Sequence, residues 1–217
     1  MTVPADRELS RRLRALRDPV VRTPRLELRL PSADRLAELV ALISDRTVAH
    51  WTLHIPFPYT RRDARQWLRR AALGRRTGAH LGVQVVRRSD GALVGGAGLH
   101  HLDPENGRAE LGYWIGREHR RQGYAAEAAG ALTSFAFRRL GFHRVEARIF
   151  PGNVGSAGVL GSLGFRREGR LRSTVVKDGA RWDEVVYSRL DSDGPLPGRR
   201  GRRLRPASRA GRRRPPR

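Results

Sequence analysis

The segment Glu110-Leu-Gly-Tyr-Trp-Ile-Gly116 reads as a strand that leads through Arg120-Arg-Gln-Gly-Tyr-Ala125 straight into an Ala-rich helical stretch. That arrangement suits anion binding. The first turn of a helix offers backbone N–H groups without intrahelical acceptors and the positive end of the dipole, so phosphate oxygens can be bonded there. Gly123 permits close approach of a diphosphate, Ala125 and Ala128 keep the first turn thin, and Arg120 and Arg121 can offset several negative charges. Taken alone, the Arg-x-x-Gly-x-Ala string is equally a basic turn before an ordinary helix. A second segment, Asn153-Val-Gly-Ser156, opens a shorter helix that ends in Leu163-Gly-Phe165. Helix capping would account for both Asn153 and Ser156 without any chemistry.

Other constellations are weaker. Gly95-Gly-Ala-Gly98 resembles a dinucleotide loop only superficially, because no helix follows it, and its glycines are expected to let strands or a ligand approach closely. Gly155-Ser-Ala-Gly158 lacks the earlier glycine of a nucleophile elbow, so serine hydrolase chemistry is not supported. With no cysteine in the chain, disulfides, thiolate metal sites and a cysteine nucleophile are excluded. His50 and His54 have helical spacing but no acidic ligand among them, and no metal is expected.

The elements that must position these residues follow from switches in hydrophobic period, each punctuated by Gly, Pro or Asp-Gly. Leu26, Leu28 and Leu30 alternate as a strand, and Ser32 caps a helix with Leu36, Leu39, Val40 and Ile43 on one face. Thr60 precedes a helix carrying Ala64, Trp67, Leu68 and Ala71. Three antiparallel strands come next, over residues 81–85, 93–102 and 109–115, joined by turns at Ser89-Asp90-Gly91 and Pro104-Glu105-Asn106-Gly107. A long helix is expected over residues 124–140, stopped by Gly141, then a strand through Val145, Ala147 and Ile149 and a helix over residues 153–163. Lys177-Asp178-Gly179 joins two last strands, over residues 165–176 and 181–190. The prediction is a mixed α/β domain over residues 23–190.

The net charge of +23 is uneven. Residues 1–22 contain six Arg and three acids, and residues 191–217 contain ten Arg and two Asp, so the intervening domain keeps +12 of the total. Lys177 is the only lysine among 44 basic residues, a bias that fits genomic base composition as well as phosphate contact. The first 22 residues read as a basic arm. From Pro195 onward the sequence has too few large apolar residues to repay ordering and reads as a disordered Arg/Pro-rich tail, within a terminal region 191–217 that offers a contact for RNA or the ribosome. Apolar stretches at residues 92–99 and 125–131 fall far below the roughly 20 residues of a membrane span. No secretory signal precedes them, and a cytoplasmic location without membrane contact is expected. The chain is compatible with a monomer or a homodimer.

Together, residues 110–127 and 153–165 resemble the GCN5-related N-acetyltransferase (GNAT) superfamily, most closely its RimJ/RimL branch, which acetylates N-termini of ribosomal proteins. The resemblance covers about residues 23–190. It implies a central twisted, mostly antiparallel sheet of about seven strands with about four helices packed on both faces. It also implies acetyl-CoA as co-substrate, no metal, and a primary amine acceptor, with a ribosomal protein N-terminus as a candidate partner. Arg120, Arg121, Gln122, Gly123, Tyr124 and Ala125 would hold the pyrophosphate of coenzyme A, and Trp114, Ile115 and Gly116 would offer backbone N–H groups to the acetyl carbonyl and pantetheine. Asn153 would bind the pantetheine arm and Ser156 would donate to the leaving thiolate. Pro56-Phe-Pro-Tyr-Thr60 with Asp63, Ala64 and Trp67 resembles the part of that branch that shapes the acceptor pocket.

Acetyl transfer needs a neutral amine, a place for the developing oxyanion and stabilisation of the departing thiolate. Glu110 is the first candidate for general base, and a strand-end carboxylate paired with Arg is the plainer reading of the same residue. Asp183 and Glu184 are alternatives. Many superfamily members place a Tyr acid seven residues after the Asn, where this chain has Leu160, which leaves Ser156 as the thiolate partner. An α-amino group, with a pKa of about 7.7 to 8.0, is an easier nucleophile than lysine at about 10.4. Small amines such as antibiotics or polyamines are the alternative acceptors, and an inactive acyl-CoA sensor with a basic tail is the alternative to an enzyme.

Overall fold

The computed structural model describes residues 5–197. One sheet of eight strands runs in the order β1-β2-β3-β4-β5-β6-β8-β7. The strands are β1 (Val21–Arg22), β2 (Leu26–Arg29), β3 (Leu81–Arg87), β4 (Leu93–Asp103), β5 (Arg108–Ile115), β6 (Arg144–Ile149), β7 (Arg166–Lys177) and β8 (Ala180–Leu190). Neighbours are antiparallel except β5 and β6, which the intervening helix forces to run parallel. The strand beyond the expected seven is β1, a two-residue extension that pairs with β2.

Six α-helices cover the sheet: α1 (Ala5–Arg14), α2 (Leu36–Ile43), α3 (Arg46–Trp51), α4 (Arg61–Thr77), α5 (Tyr124–Phe135) and α6 (Val154–Ser162). The expected helices correspond to α2, α4, α5 and α6. α3 lay hidden because its six residues are too few to show a period; Asp45 starts it by accepting the Thr47 N–H at 2.6 Å. The long helix over residues 124–140 is α-helical only to Phe135 and widens into one π turn, Ala136–Leu140, before Gly141 ends it at φ +80°.

A larger core lies between the sheet and α5 and α6, built from Leu81, Val83, Leu111, Leu132, Val145 and Leu160 among others. A smaller one joins α2, α3 and α4 to Val86 and Leu93. The stretch expected as a basic arm contributes to the larger core, since Leu9 and Leu13 of α1 are buried in it. At the other end, order extends past residue 195. The Arg189 guanidinium donates to the carbonyls of Gly194 (2.8 Å) and Pro195 (3.1 Å), and Leu196 packs on the core. The expected disorder of residues 198–217 lies outside the described residues. Among the described residues no helix is long and apolar enough to cross a membrane.

Candidate functional site

The parallel pairing of β5 and β6 stops early. Arg108, Ala109 and Glu110 pair with Arg144, Val145 and Glu146, and no pair follows, although β5 continues along β4 to Ile115 and β6 along β8 to Ile149. The two strands therefore splay beyond Glu110 and leave a wedge in the middle of the sheet. The Gly116 N–H donates to the Val94 carbonyl at 3.0 Å. Because amides alternate direction along an antiparallel ladder, Trp114 also points its N–H at β4, whereas Tyr113 and Ile115 point theirs into the wedge. Of the three backbone donors expected there, Ile115 is available, Trp114 and Gly116 belong to the ladder, and Tyr113 was missed.

The two faces of β5 do different work. Leu111 and Ile115 enter the core under α5, and Glu110, Gly112 and Trp114 face a cleft of about 1140 Å³. Trp114 lies over Gly96, where an added Cβ would come within 2.7 Å of its Nε1. Gly95 likewise has the Trp114 backbone carbonyl where a Cβ would stand, so these glycines serve close strand and ring contact. From the α3–α4 side the cleft receives Pro56, Tyr59, Asp63 and Trp67, while Ala64 is buried beneath them and Phe57 is exposed.

Glu110 sits at the point of divergence. Its Oε2 lies 3.2 Å from His101 Nδ1 and 3.5 Å from Arg148 Nε, so the plainer reading of a paired carboxylate describes its surroundings, and the cleft opens beside it. Glu184 also lines the cleft and accepts from Thr174 at 3.0 Å. Asp183 is tied within the hairpin by Arg170 (2.7 Å) and the Ser173 N–H (2.8 Å). Asn153 and Ser156 stand across the cleft from β5. Asn153 caps α6 by accepting the Ser156 N–H at 3.1 Å, and the Tyr113 hydroxyl donates to the Ser156 carbonyl at 3.4 Å. Burial pushes the Tyr113 phenol up to about 12, so it keeps its proton at physiological pH.

Beyond the tip of β5, the loop before α5 is bent by two residues in left-handed conformation, Arg121 at φ +60° and Gly123 at φ +77°. Gly123 caps α5 without a side chain, so the amides of the first turn face outward beside Tyr124 and Ala125. A concavity of backbone donors at the start of a 12-residue helix fits a diphosphate. Arg121 and Gln122 are exposed on this loop. Arg120 is turned inward, donating to the Ile115 carbonyl (3.0 Å) and to Thr47 Oγ1 (2.7 Å), which makes it a brace between β5 and α3.

Two residues that sequence reasoning missed hold this loop in place. Glu127, in the first turn of α5, accepts from Thr23 Oγ1 (2.7 Å) and from the Arg25 N–H (2.9 Å) and Nε (2.7 Å). Arg25 then donates to the Gln122 carbonyl at 2.9 Å and stacks over the Tyr124 ring. Burial raises the Glu127 pKa, but the bonds from Thr23 and Arg25 outweigh it and hold the carboxyl below its ordinary range. The sequence signal was an acid in a helix first turn, which the dipole alone would explain.

The family described as acetyltransferase (GNAT) domain matches residues 25–166. The chain is 39% identical over 106 residues to p20 of Bacillus licheniformis, described as an uncharacterized N-acetyltransferase, a match that covers 49% of this chain and spans only 59% of that protein. It is 33% identical over 159 residues to YdaF of Bacillus subtilis, whose name provisionally assigns it as a ribosomal N-acetyltransferase, covering 73% of this chain and 85% of the relative. A Vibrio cholerae structure, provisionally described as a ribosomal-protein-serine acetyltransferase, superposes with a TM-score of 0.70 at 32% identity, over 78% of this chain and 96% of the other. Since the family match runs from β2 through both arms of the wedge to the start of β7, the chain belongs to the acetyltransferase (GNAT) domain family.

Proposed function

We propose that this chain is a cytoplasmic acetyl-CoA-dependent N-acetyltransferase whose acceptor is a protein or peptide N-terminal α-amino group, ribosomal proteins being the first candidates. The observation that carries this reading is the wedge between β5 and β6, with free amide directions on one arm and the α6 cap on the other. Names of relatives such as YdaF support the choice of acceptor.

In this reading the diphosphate of acetyl-CoA rests on the first turn of α5 and the bent loop at Arg121 to Gly123, and the pantetheine arm enters the wedge. The N–H groups of Tyr113 and Ile115 face the thioester. A neutral amine in the cleft attacks the thioester carbonyl; a C–N bond forms, the carbonyl oxygen takes up negative charge, and collapse breaks the C–S bond. Glu110, directly or through water, takes the amine proton. The Ser156 hydroxyl donates a hydrogen bond to the departing thiolate in the absence of a tyrosine at Leu160.

A small cationic amine is the second reading, favoured by Asp103, Glu110, Glu146 and Glu184 in the cleft of an otherwise basic protein. The test begins with calorimetric titration of acetyl-CoA into the full chain. Micromolar affinity, about −8 kcal/mol, that is lost in Gly123→Glu is the expected result. Turnover on peptides with free N-termini but not on acetylated ones or on polyamines supports the first reading. Faster turnover on small amines supports the second, and binding without turnover on either set makes the chain a sensor of acyl-CoA.

A further inference from the structure

The helix α4 carries a second surface that the acetyl-transfer site does not use. Its inner side sends Asp63, Trp67 and Arg70 into the cleft. On its outer side stand Arg62, Arg65, Arg69 and Arg76, all exposed. At 100° per residue these four fall within an arc of about 60°, and at 1.5 Å per residue they extend over about 21 Å. Spacing, not composition alone, aligns them.

Their lack of carboxylate partners matters more than their number. The only acid on α4 is Asp63, which is engaged by Thr60 in the capping box, and among the described residues none of the four guanidinium groups has an acidic partner. Elsewhere on the surface arginines are paired, as Arg87 is with Asp90, Arg144 with Glu168 and Arg170 with Asp183. The stripe continues onto α1, because Arg14 donates to the Arg76 carbonyl at 3.3 Å and presents its own side chain beside the C-terminus of α4. Holding like charges in a row on a rigid helix costs self-repulsion, which a polyanion of regular charge spacing relieves.

We infer that this face of α4 binds the sugar-phosphate backbone of RNA, without reading its sequence, and so holds the acceptor cleft on the inner side of the same helix close to an RNA-bound substrate. Arginine is suited to this because its planar fork bonds phosphate oxygens in pairs and its charge never titrates away. An acidic protein surface is the competing partner, but it would present charges irregularly and in smaller number. The surface does not depend on which amine is acetylated, and it is distinct from the Arg-rich segment 198–217.

The test is fluorescence anisotropy of a labelled 20-nucleotide RNA of mixed sequence, with the full chain and with the full-length variant R62Q/R65Q/R69Q/R76Q, titrated at several salt concentrations. Each phosphate that the variant no longer neutralises reduces the slope of log K against log salt by about 0.7 to 0.9, so removing four arginines should lower the slope by about 3. Acetylation of a free peptide should be unchanged, which also reports that the variant folds. An identical slope in parent and variant would assign RNA binding to the tail or another face and overturn the inference, as would parent binding to poly-glutamate with none to RNA. If the quadruple variant does not fold, R65Q/R69Q carries the same test with about half the change in slope.

Discussion

Glu110 is the residue on which the two arms of the sheet separate, and its carboxylate meets His101 and Arg148 at the floor of the cleft. A base in this position must give its charge a partner without losing reach toward the amine, and one Arg at 3.5 Å leaves the second oxygen available. Replacing Glu110 by Gln keeps the shape and removes the base. The expected outcome in steady-state kinetics is a fall in kcat of about 10²- to 10⁴-fold with little change in KM for acetyl-CoA. Full turnover in that variant would pass the role to Glu184, the other carboxylate candidate that lines the cleft. Ser156 was legible as a chemical residue because three positions after an Asn is a capping spacing, and the cap is present at 3.1 Å. Its Tyr113 neighbour was not, since nothing in a strand sequence tells which carbonyl of a later helix a phenol will reach. Ser156→Ala leaves the backbone cap intact, so a loss of kcat there, with acetyl-CoA affinity retained, would isolate the hydroxyl's part in thiolate departure.

The elements of the site differ in how far the sequence revealed them. The strand β5, the loop and α5 are contiguous, and alternation followed by an Ala-rich period announced all three. What fixes the loop is not contiguous: Arg25 and Glu127 are separated by 102 positions, and only the fold brings β2 against α5. The same holds for amide direction along β5, which depends on register with β4 and moved two of three expected donors out of the wedge. Glu127→Gln tests the brace. Its carboxylate accepts three charge-assisted or neutral bonds in a half-buried place, and weakening them should cost about 2 kcal/mol, or about 4–8 °C in Tm for a domain of this size. The effect depends on pH with a defined sign. Because the folded pKa of Glu127 is depressed below 4.5, its contribution is complete above that value and is lost as pH falls through the lower folded value. Thermal melts of parent and variant should therefore differ at pH 7 and converge in acid, and a gap that widens on acidification would contradict the assigned bonds.

At the scale of the whole molecule, the boundary drawn by composition and the boundary drawn by packing disagree. Residues 1–22 look like an arm because Arg dominates them and two prolines separate them from the first strong strand. Yet α1 turns Leu9 and Leu13 into the main core, Ser10 Oγ donates to the Thr77 carbonyl at 2.7 Å, and Arg12 reaches the Leu140 carbonyl at 3.5 Å. The helix closes the molecule by joining the end of α4 to the end of the π turn, which is also where the basic stripe of α4 continues. An amphipathic segment this short gives few apolar positions to count, so the alternation of Arg with Leu could be read as a solvated arm until a docking site for its leucines was known. Leu13 is fully buried, and Leu13→Ala should cost about 2 to 5 kcal/mol by lost transfer energy plus the cavity left behind. In urea this predicts a lower midpoint with an unchanged slope, since the same surface is exposed on unfolding. A midpoint that does not move would mean that α1 is an attached arm after all, and the basic stripe would then end at Arg76.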